Sequence, residues 1–518
     1  MFLKILLLVL FFGVMVGVGL YCRRNATDVS GFVLGGRSVG PWLTAFAYGT
    51  SYFSAVIFVG YAGQFGWKYG IASTWVGLGN AFIGSLLAWS ILGRRTRIMT
   101  QHLNSSTMPE FFGARFDSRA LKVGASVITF LFLIPYTASL YNGLSRLFEM
   151  AFGMSYTVCI VVMALLTGIY VIAGGYMATA INDFIQGIIM LFGIVAVIAV
   201  VLGTQGGLTE AFHKMQDATP TQHDMANPLY ADFRPGDFAS WFGPNPMSLL
   251  GVVILTSLGT WGLPQMVGKF YSITDEGAIR RGTIISTLFA FVVAGGCYFL
   301  GGFGRLFGEP VWNEARHSYK FDDIIPTMLD TAVSSDLLIG MVMVLVLSAS
   351  MSTLASLVLT SSSTMTLDLI YRDKKSQPGE VEEGSIDDVV AEKVERRKVV
   401  IMRVLIVFFI VISVLIALNP PTFIAQLMGI SWGALAGAFL APFMLGLYWR
   451  GVTTASVWAC FVWGVGITVV NMLAGNPINP INCGAIAMVG GFPVVLIVSL
   501  LTKKMNPATV DGIFDCYK

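Results

Sequence analysis

The stretch that decides the fold is Ser348-Ala-Ser-Met-Ser-Thr-Leu-Ala-Ser356, a run of small and hydroxyl-bearing residues inside an apolar segment. Ala349, Ser352, Thr353 and Ser356 recur at i, i+3, i+4 and i+7, so a helix would place them on one face. A hydroxyl face in hydrocarbon has two ordinary uses: it joins helices, or it supplies oxygen ligands to a small hard cation. The residues around the stretch must decide between these two interpretations.

Most of the chain is too apolar for a soluble protein. Of its 518 residues, 55% are hydrophobic and only 12% are charged, and the mean hydropathy is +0.74. Soluble domains carry about 25% charged residues, so this composition predicts that most of the chain lies in a lipid bilayer. The formal net charge of +3 is too small to indicate a nucleic-acid partner.

Apolar stretches recur along the whole chain. A helix crosses a bilayer with roughly 20 apolar residues, and by this criterion the sequence contains about thirteen spans. They are predicted to begin near Phe2, Pro41, Ser73, Val123, Ser155, Ala178, Met247, Thr283, Leu337, Val399, Ile424, Ala455 and Ala485. No soluble domain interrupts them. We therefore expect an all-α polytopic membrane protein with a single transmembrane domain over residues 1–502 and a cytoplasmic tail over residues 503–518.

The distribution of Lys and Arg predicts the orientation. Arg23 and Arg24 follow the first apolar run, which favours an uncleaved span over a signal peptide. Every second loop is basic, and the positive-inside rule then places the N-terminus outside and the C-terminus in the cytoplasm, across a plasma or inner membrane. The polar, charge-mixed stretch at residues 374–398 is predicted to be a flexible or partly helical cytoplasmic loop.

Two spans carry small, polar and helix-breaking residues at mid-depth. Residues 49–54 read Gly-Thr-Ser-Tyr-Phe-Ser, and residues 256–264 read Thr-Ser-Leu-Gly-Thr-Trp-Gly-Leu-Pro. Counted from Pro41, these are the first and sixth of ten spans. Interruptions at equivalent places in two halves are typical of an inverted-repeat transporter with a midplane site. Two kinked structural helices are the alternative.

These interruptions offer a partner to the hydroxyl stripe. Carbonyls freed at residues 50–53 could join the hydroxyls of Ser352 and Thr353 and hold sodium without a full buried charge. Helix–helix contact would explain the same stripe. Asp183, near the inner start of the sixth span, either binds a cation or caps its helix. All four histidines lie in predicted loops, which disfavours a histidine proton relay, while Asp183 leaves proton coupling open.

A solute site is expected on the broken helices and their neighbours. Its candidates are polar or aromatic side chains, each of which could instead serve packing: Tyr52, Ser54, Tyr136, Thr256, Thr260, Trp261 and Gln265. This region has no clear mid-membrane base to hold a carboxylate, because Arg146 and Lys269 are predicted near helix ends. No enzyme motif is found.

Five stretches together resemble the sodium/solute symporter family, over about residues 21–472. They are Phe32–Trp42, Arg146–Tyr156, Tyr170–Gly187, Gly259–Phe270 and Met351–Ser356, the last followed by Ser361–Thr364 and Asp368–Tyr371. The resemblance implies a leucine-transporter-like fold, with an inverted repeat of five plus five helices over about residues 41–448. One extra helix would precede this core and two would follow it.

The resemblance also implies where sodium, the co-transported ion, binds. The carbonyls of Thr50, Phe53 and Ala349 would join the hydroxyls of Ser352 and Thr353. A possible second cation site or exit route would include Asp183 and Ser356. Ala355 stands where two-sodium members carry a serine, so we expect one sodium ion.

Within the family, the proline and pantothenate branches are similar to this chain. Tyr136 and Pro264 match positions used around substrate in the proline branch, whereas Tyr52, Thr256 and Thr260 depart from it. We therefore predict a symporter that couples sodium influx to uptake of a small organic solute by alternating access, with proline or another small carboxylate favoured. The alternatives are a sugar or pantothenate-like vitamin as solute, proton coupling, and a sodium-dependent sensor that does not concentrate its solute. Its oligomeric state is not predicted.

Overall fold

The apolar segments form helices, because hydrocarbon requires each segment to satisfy its own backbone N–H and C=O groups. The computed structural model describes residues 2–153, 155–314, 318–333, 335–371, 386–419 and 424–517. The helices are α1 (Phe2–Cys22), α2 (Val29–Leu34), α3 (Pro41–Tyr52), α4 (Ala62–Tyr69), α5 (Thr74–Ala81), α6 (Arg94–His102), α7 (Met108–Arg115), α8 (Arg119–Phe152), α9 (Tyr156–Thr204), α10 (Leu208–Asp217), α11 (Pro246–Gly262), α12 (Pro264–Ser272), α13 (Glu276–Gly301), α14 (Ile324–Ala332), α15 (Asp336–Thr364), α16 (Ile386–Leu418), α17 (Ile424–Tyr448), α18 (Thr454–Leu473), α19 (Pro480–Leu501) and α20 (Pro507–Phe514).

Shorter elements complete the description. Turns of π-helix occupy Val56–Tyr61, Phe82–Leu87, Trp89–Gly93 and Met365–Ile370. Strands β1 (Trp312–Asn313) and β2 (Ser318–Tyr319) pair antiparallel in a loop. Residues 374–385 of the predicted loop lie outside the described residues. Its remaining residues, 386–398, form the beginning of α16.

Among the described residues, ten helices are long and apolar enough to cross a bilayer, and the pair α11–α12 forms an eleventh span bent by 46°. Two of the ten have 47 and 49 residues, about twice what one crossing needs. One of them, Val56–His102, turns at Gly70, where φ is +59°. The other, α9, turns at Gly175. Counted at these turns, each of the thirteen predicted spans has its helix, and the chain is a multi-pass membrane protein.

Gly175 makes the turn within α9 possible. Its backbone has φ +57° and ψ −152°, which side chains disfavour, and an added Cβ would lie 2.8 Å from the carbonyl oxygen of Phe32. Glycine is therefore required here for two reasons, backbone conformation and close approach. The turn lets one helical run cross twice.

The two predicted interruptions are breaks of the same kind. α3 ends at Phe53, which has φ −88° and ψ 127°, and α11 ends at Leu263, which has φ −86° and ψ 122°. Both residues thus take extended backbone at the midpoint of a span. Equivalent breaks in two halves are what an inverted repeat requires.

The two broken spans also meet at one end of the bundle. Val39, before α3, pairs with the strand-like backbone after α12: its N–H donates to the Ser272 carbonyl at 3.2 Å, and its own carbonyl accepts from the Thr274 N–H at 3.1 Å. This end carries the loops that the charge pattern predicts to be cytoplasmic.

The opposite end is held by a group of side chains that we name the outer cluster: Arg305, Asp224, Trp67 and Phe238. The Arg305 guanidinium is 2.9 Å from the Asp224 carboxylate and lies between the rings of Trp67 and Phe238, at 4.1 and 3.8 Å from their centroids. The outer cluster ties the end of the first broken span and the end of α13 to the long loop before α11.

Candidate functional site

The hydroxyl stripe faces the break in the first broken span. Thr353 Oγ1, on α15, lies 3.4 Å from the carbonyl oxygens of Thr50 and Phe53, 3.3 Å from that of Ser51 and 3.2 Å from that of Ala349. All of these residues are buried. Four carbonyl oxygens and one hydroxyl therefore converge between α3 and α15.

The break explains why the carbonyls of Thr50, Ser51 and Phe53 are available to Thr353. The last carbonyls of a helix have no partner within it, and extended backbone at Phe53 ends α3 at mid-depth. A hydroxyl has a single hydrogen, so Thr353 can satisfy only one of the four carbonyls at a time. The remaining lone pairs are suited to a cation.

The spacing of these oxygens also suits a hard cation. Ca²⁺, which is close to Na⁺ in size, is held at about 2.3–2.6 Å, so ligand oxygens at right angles lie about 3.3–3.7 Å apart. The distances of 3.2–3.4 Å around Thr353 agree with this spacing. No cluster of three or more His, Cys, Asp or Glu suited to a metal occurs in the described part of the chain. Carbonyl and hydroxyl oxygens are thus the available donors.

Ser352 is placed differently from its neighbour. Its hydroxyl is buried and lies beside the Asp183 carboxylate. The structure therefore brings Thr50, Phe53, Ala349 and Thr353 together directly, with Ser352 between that group and Asp183.

Asp183 lies within α9 and is 1% exposed, so it does not cap a helix at the membrane surface. Lys269 Nζ, on α12, lies 3.8 Å from Asp183 Oδ2 and is 3% exposed. The sequence correctly placed Lys269 near the end of its helix, and the structure adds that this side chain is buried beside a carboxylate. Helix position alone could not reveal this, because the pairing carboxylate comes from a distant span.

Ser356 connects the Lys269–Asp183 pair to the four carbonyl oxygens around Thr353. Lys269 Nζ donates to Ser356 Oγ at 3.0 Å, and Ser356 Oγ is 2.8 Å from Ser51 Oγ. The carbonyl of Ser51 is one of the four that face Thr353. Sequence reasoning did not single out Ser51, although its place inside the Gly49–Ser54 interruption was the available signal.

A vestibule reaches this region from one end of the bundle. It is lined by residues of α2, α9, α12 and α15 and of the segment where α7 begins, among them Leu34, Thr107, Gln265, Lys269 and Ser356. Leu34 and Thr107 belong to the segments predicted to be cytoplasmic. Pro264, which begins α12 after the break, also lines it.

An aromatic cluster lies on the other side of the break. The ring of Trp432, on α17, is 6.2 Å from that of Tyr52 and 5.9 Å from that of Tyr136, on α8. Tyr136 Oη, Ser54 Oγ and Trp432 Nε1 are buried and lie within reach of one another, and within the described chain none of them has a hydrogen-bond partner outside this group. Buried polar atoms usually have well-formed partners, so this cluster is a candidate for ligand contact.

Four other predicted solute residues use their polar atoms within the protein. Tyr52 donates to the Thr256 carbonyl at 2.6 Å, the Thr256 hydroxyl to Val252, Thr260 to Gly84 and Trp261 to Ile83. These bonds support the packing interpretation for Thr256, Thr260 and Trp261, and their contact with solute stays a prediction. Gln265 differs, because its Oε1 faces the vestibule region without a partner among the described residues.

Trp432 was missed by sequence reasoning. It lies in α17, whose sequence around it, Gly-Ile-Ser-Trp-Gly-Ala-Leu-Ala-Gly, is otherwise small and apolar. A lone indole beside a serine in such a helix was the only local signal. Its approach to α11 is close, since a Cβ on Gly259 would lie 2.5 Å from the indole ring.

Comparisons with known proteins agree with this geometry. The model of the sodium:solute symporter family matches residues 32–464. The chain is 26% identical to the osmoregulated proline transporter OpuE of Bacillus subtilis (strain 168), covering 96% of this chain and 95% of that protein. It is 27% identical to the sodium/proline symporter of Staphylococcus aureus (strain JH9), covering 97% of this chain and 92% of the relative.

Solved structures resemble the fold. A sodium-coupled sialic acid symporter, solved in a substrate-bound outward-open state, superposes with a TM-score of 0.76 at 19% identity, covering 98% of this chain and 99% of that one. Mhp1, a nucleobase-cation-symport-1 family transporter, gives a TM-score of 0.50 at 15% identity, covering 94% and 98%. At these identities the likeness concerns the fold alone. It confirms the leucine-transporter-like architecture predicted from the sequence.

Proposed function

The chain belongs to the sodium:solute symporter family, and from that premise we propose that it couples sodium influx to the uptake of proline, or of a closely similar small amino acid, by alternating access. Membership makes the protein a sodium-coupled secondary transporter of a small organic solute and not an enzyme. The solute, the residues that bind it and the direction of transport are the proposal.

One observation carries the ion site. Thr353 faces four carbonyl oxygens at 3.2–3.4 Å and has one hydrogen with which to satisfy them. Sodium bound to the carbonyls of Thr50, Phe53 and Ala349 and to the Thr353 hydroxyl would join α3 to α15, with Ser352 as a further hydroxyl at the edge. Because α3 belongs to a broken span, ion binding there would bias its position.

The solute assignment is supported by similarity and by the aromatic cluster. Two relatives at 26% and 27% identity are named for proline transport. A proline ring could pack on Tyr52 and Trp432, while the Tyr136 and Ser54 hydroxyls and the Trp432 indole N–H could donate to its carboxylate. Each of these donors is buried, and within the described chain none has a partner outside this group of three. Lys269 is not available for a carboxylate, because Asp183 already accompanies its charge.

The structure supports a mechanism in which the two ends open alternately. The vestibule, about 50 Å³ in volume, borders the segments predicted to be cytoplasmic, and a cavity of about 300 Å³ lined by Lys68, Tyr69 and Asn245 lies near the outer cluster at the opposite end. Sodium at the Thr353 site would favour the outward-facing state, and solute binding would then favour closure and passage inward. Since binding is reciprocal, the factor by which sodium raises solute affinity equals the factor by which solute raises sodium affinity.

Uptake into proteoliposomes tests the proposal. Purified protein is reconstituted, and radiolabelled proline uptake is measured under an inward sodium gradient, an inward proton gradient, or potassium alone. We expect concentrative uptake with sodium only, and competition by unlabelled proline but not by glucose or pantothenate. Sodium-driven uptake that ignores proline would overturn the solute assignment. Uptake driven by protons alone would overturn the ion assignment, and binding without accumulation would indicate a sensor.

A further inference from the structure

Lys269 is buried where four helices meet. α12 carries Lys269, α9 carries Asp183, α15 carries Ser356 and α3 carries Ser51. The ammonium lies 3.0 Å from the Ser356 hydroxyl and 3.8 Å from the Asp183 carboxylate, and both charged side chains are at most 3% exposed. The ring of Tyr176 lies 5.2 Å from the same ammonium. A carboxylate, a hydroxyl and an aromatic face therefore surround one positive charge.

The carboxylate of Asp183 depends on that charge. The Ser352 hydroxyl lies beside this carboxylate, and Lys269 Nζ is 3.8 Å from it. A buried carboxylate without a compensating charge is strongly unfavourable. Lys269 supplies such a charge, and its ammonium contacts both the Asp183 carboxylate and the Ser356 hydroxyl, two kinds of oxygen that bind cations.

We propose that Lys269 is a tethered substitute for a second sodium ion, so that its ammonium fills the cation position beside Asp183 and Ser356 and limits the carrier to one sodium ion per cycle. This inference rests on the proposed function and adds the residue that sets the number of ions. An ammonium and a sodium ion require the same partners, namely carboxylate and hydroxyl oxygens. Two positive charges on the same few atoms would repel, so the tethered one excludes the diffusible one.

The neighbourhood of Ser356 agrees with this substitution. Because an ammonium can only donate, Ser356 accepts from Lys269 and can donate in turn to Ser51. The neighbouring position on α15 is Ala355, which has no hydroxyl to offer a further ion. Ser356 therefore contacts Lys269, and its partner Ser51 belongs to the group of residues around Thr353.

The tether also connects the ion count to movement. Lys269 belongs to α12, the inner half of a broken span, whereas Asp183 and Ser356 belong to α9 and α15. A diffusible ion in this position could leave through the vestibule. Lys269 borders the vestibule and cannot leave, so the Asp183 carboxylate keeps a counter-charge while the Thr353 site empties.

The test is a count of bound ions. Radioactive sodium binding to the purified, detergent-solubilised chain is measured at saturation and alkaline pH for the wild type, Lys269→Gln, Lys269→Arg and the double variant Lys269→Gln/Asp183→Asn. We expect one ion per chain in the wild type, two in Lys269→Gln, and one in both Lys269→Arg and the double variant. The Hill coefficient for sodium should rise from near 1 to near 2 in Lys269→Gln alone.

Each outcome decides a separate point. Two ions in the wild type, or one in a folded Lys269→Gln, would overturn the inference while leaving sodium coupling intact. No sodium bound to the wild type would contradict the proposed function and, with it, this inference. If Lys269→Gln does not fold, the charge moved per labelled solute in wild-type proteoliposomes decides instead: one charge supports the tethered cation and two charges exclude it.

Discussion

At the scale of single residues, Thr353 has more acceptors around it than it can satisfy. Four carbonyl oxygens lie within 3.2–3.4 Å of a hydroxyl that has one hydrogen. A protein interior tolerates this arrangement when another positive group completes it. We therefore propose that Thr353 joins the helices while the ion is absent and coordinates sodium while it is bound, so that the two interpretations of the stripe are not exclusive.

Removing the Thr353 hydroxyl should weaken sodium binding selectively. If one oxygen ligand contributes about 1.4 kcal/mol, Thr353→Ala should raise the sodium concentration for half-maximal uptake about tenfold. Thr353→Ser should stay near wild type. Ser350→Ala is the matched control, because Ser350 donates to Val346 within its own helix at 2.8 Å. Equal sodium dependence in the Thr353→Ala and Ser350→Ala proteins would show that the stripe only joins helices.

Tyr136 and Tyr48 offer a matched pair for the solute site. Tyr136→Phe removes a buried hydroxyl whose neighbours within reach are Ser54 and Trp432 of the same cluster, whereas Tyr48→Phe removes one that donates to the Gly84 carbonyl at 2.8 Å. A hydrogen bond to a charged group is worth about 1.5–3 kcal/mol, so Tyr136→Phe should raise the KM for proline at least tenfold. Tyr48→Phe should leave KM unchanged and lower stability by about 1 kcal/mol. Uptake kinetics and thermal melting separate the two effects, and a KM change in Tyr48→Phe alone would contradict the assignment.

At the scale of elements, interruptions matter as much as helices. The breaks at Phe53 and Leu263 have nearly the same backbone angles, and the turn at Gly175 divides α9 into two crossings. Hydropathy and Gly or Pro content predicted where the spans and breaks lie, because both depend on local sequence. They could not predict which carbonyls face Thr353 or that Lys269 reaches Asp183. Apart from the Ala349 carbonyl, which lies on the same helix as Thr353, those contacts join residues more than eighty positions apart, and only packing creates them.

The Gly175 turn should tolerate no side chain. Gly175→Ala would place a Cβ 2.8 Å from the Phe32 carbonyl on a backbone that L-residues disfavour. Overpacking and this backbone together should cost about 2–6 kcal/mol, which would abolish folding or lower the melting temperature sharply. Gly168→Ala is the control, since its Cβ would meet Ile410 at an ordinary 3.4 Å and should stabilise the helix by about 0.5–1 kcal/mol. We expect the melting temperature to fall in Gly175→Ala and to rise in Gly168→Ala. An unchanged melting temperature in Gly175→Ala would contradict the role of the turn.

At the scale of the whole molecule, the two ends are held by different means. The outer cluster holds one end with a buried ion pair, and at the other end the vestibule borders Lys269 and Ser356. A carrier that opens its ends alternately must break such a closure once per cycle. The outer cluster is therefore expected to set the balance between the two states.

Arg305→Ala should shift this balance outward. Loss of the guanidinium leaves Asp224 without its ion pair and frees Trp67 and Phe238. If sodium favours the outward-facing state, its half-saturation concentration should fall severalfold, while maximal uptake falls because outer closure is slower. Arg94→Ala is the control, because the Arg94–Glu276 pair is exposed and contributes at most about 1 kcal/mol. A raised sodium half-saturation in folded Arg305→Ala would contradict the role of the outer cluster.

The buried ammonium of Lys269 has an energetic consequence for the cell. A charge fixed to the protein returns with it at the end of each cycle, so it adds nothing to the work taken from the membrane potential. With a neutral zwitterion as cargo, one sodium ion supplies about 2.3 kcal/mol per 100 mV, which is an accumulation ceiling of roughly 45-fold before the sodium gradient is added. A second mobile ion would square that ceiling and double the number of ions to be pumped out again. With Lys269 beside Asp183, the carrier would reach a lower final concentration of solute, but only one sodium ion would have to be pumped out for each solute molecule taken up.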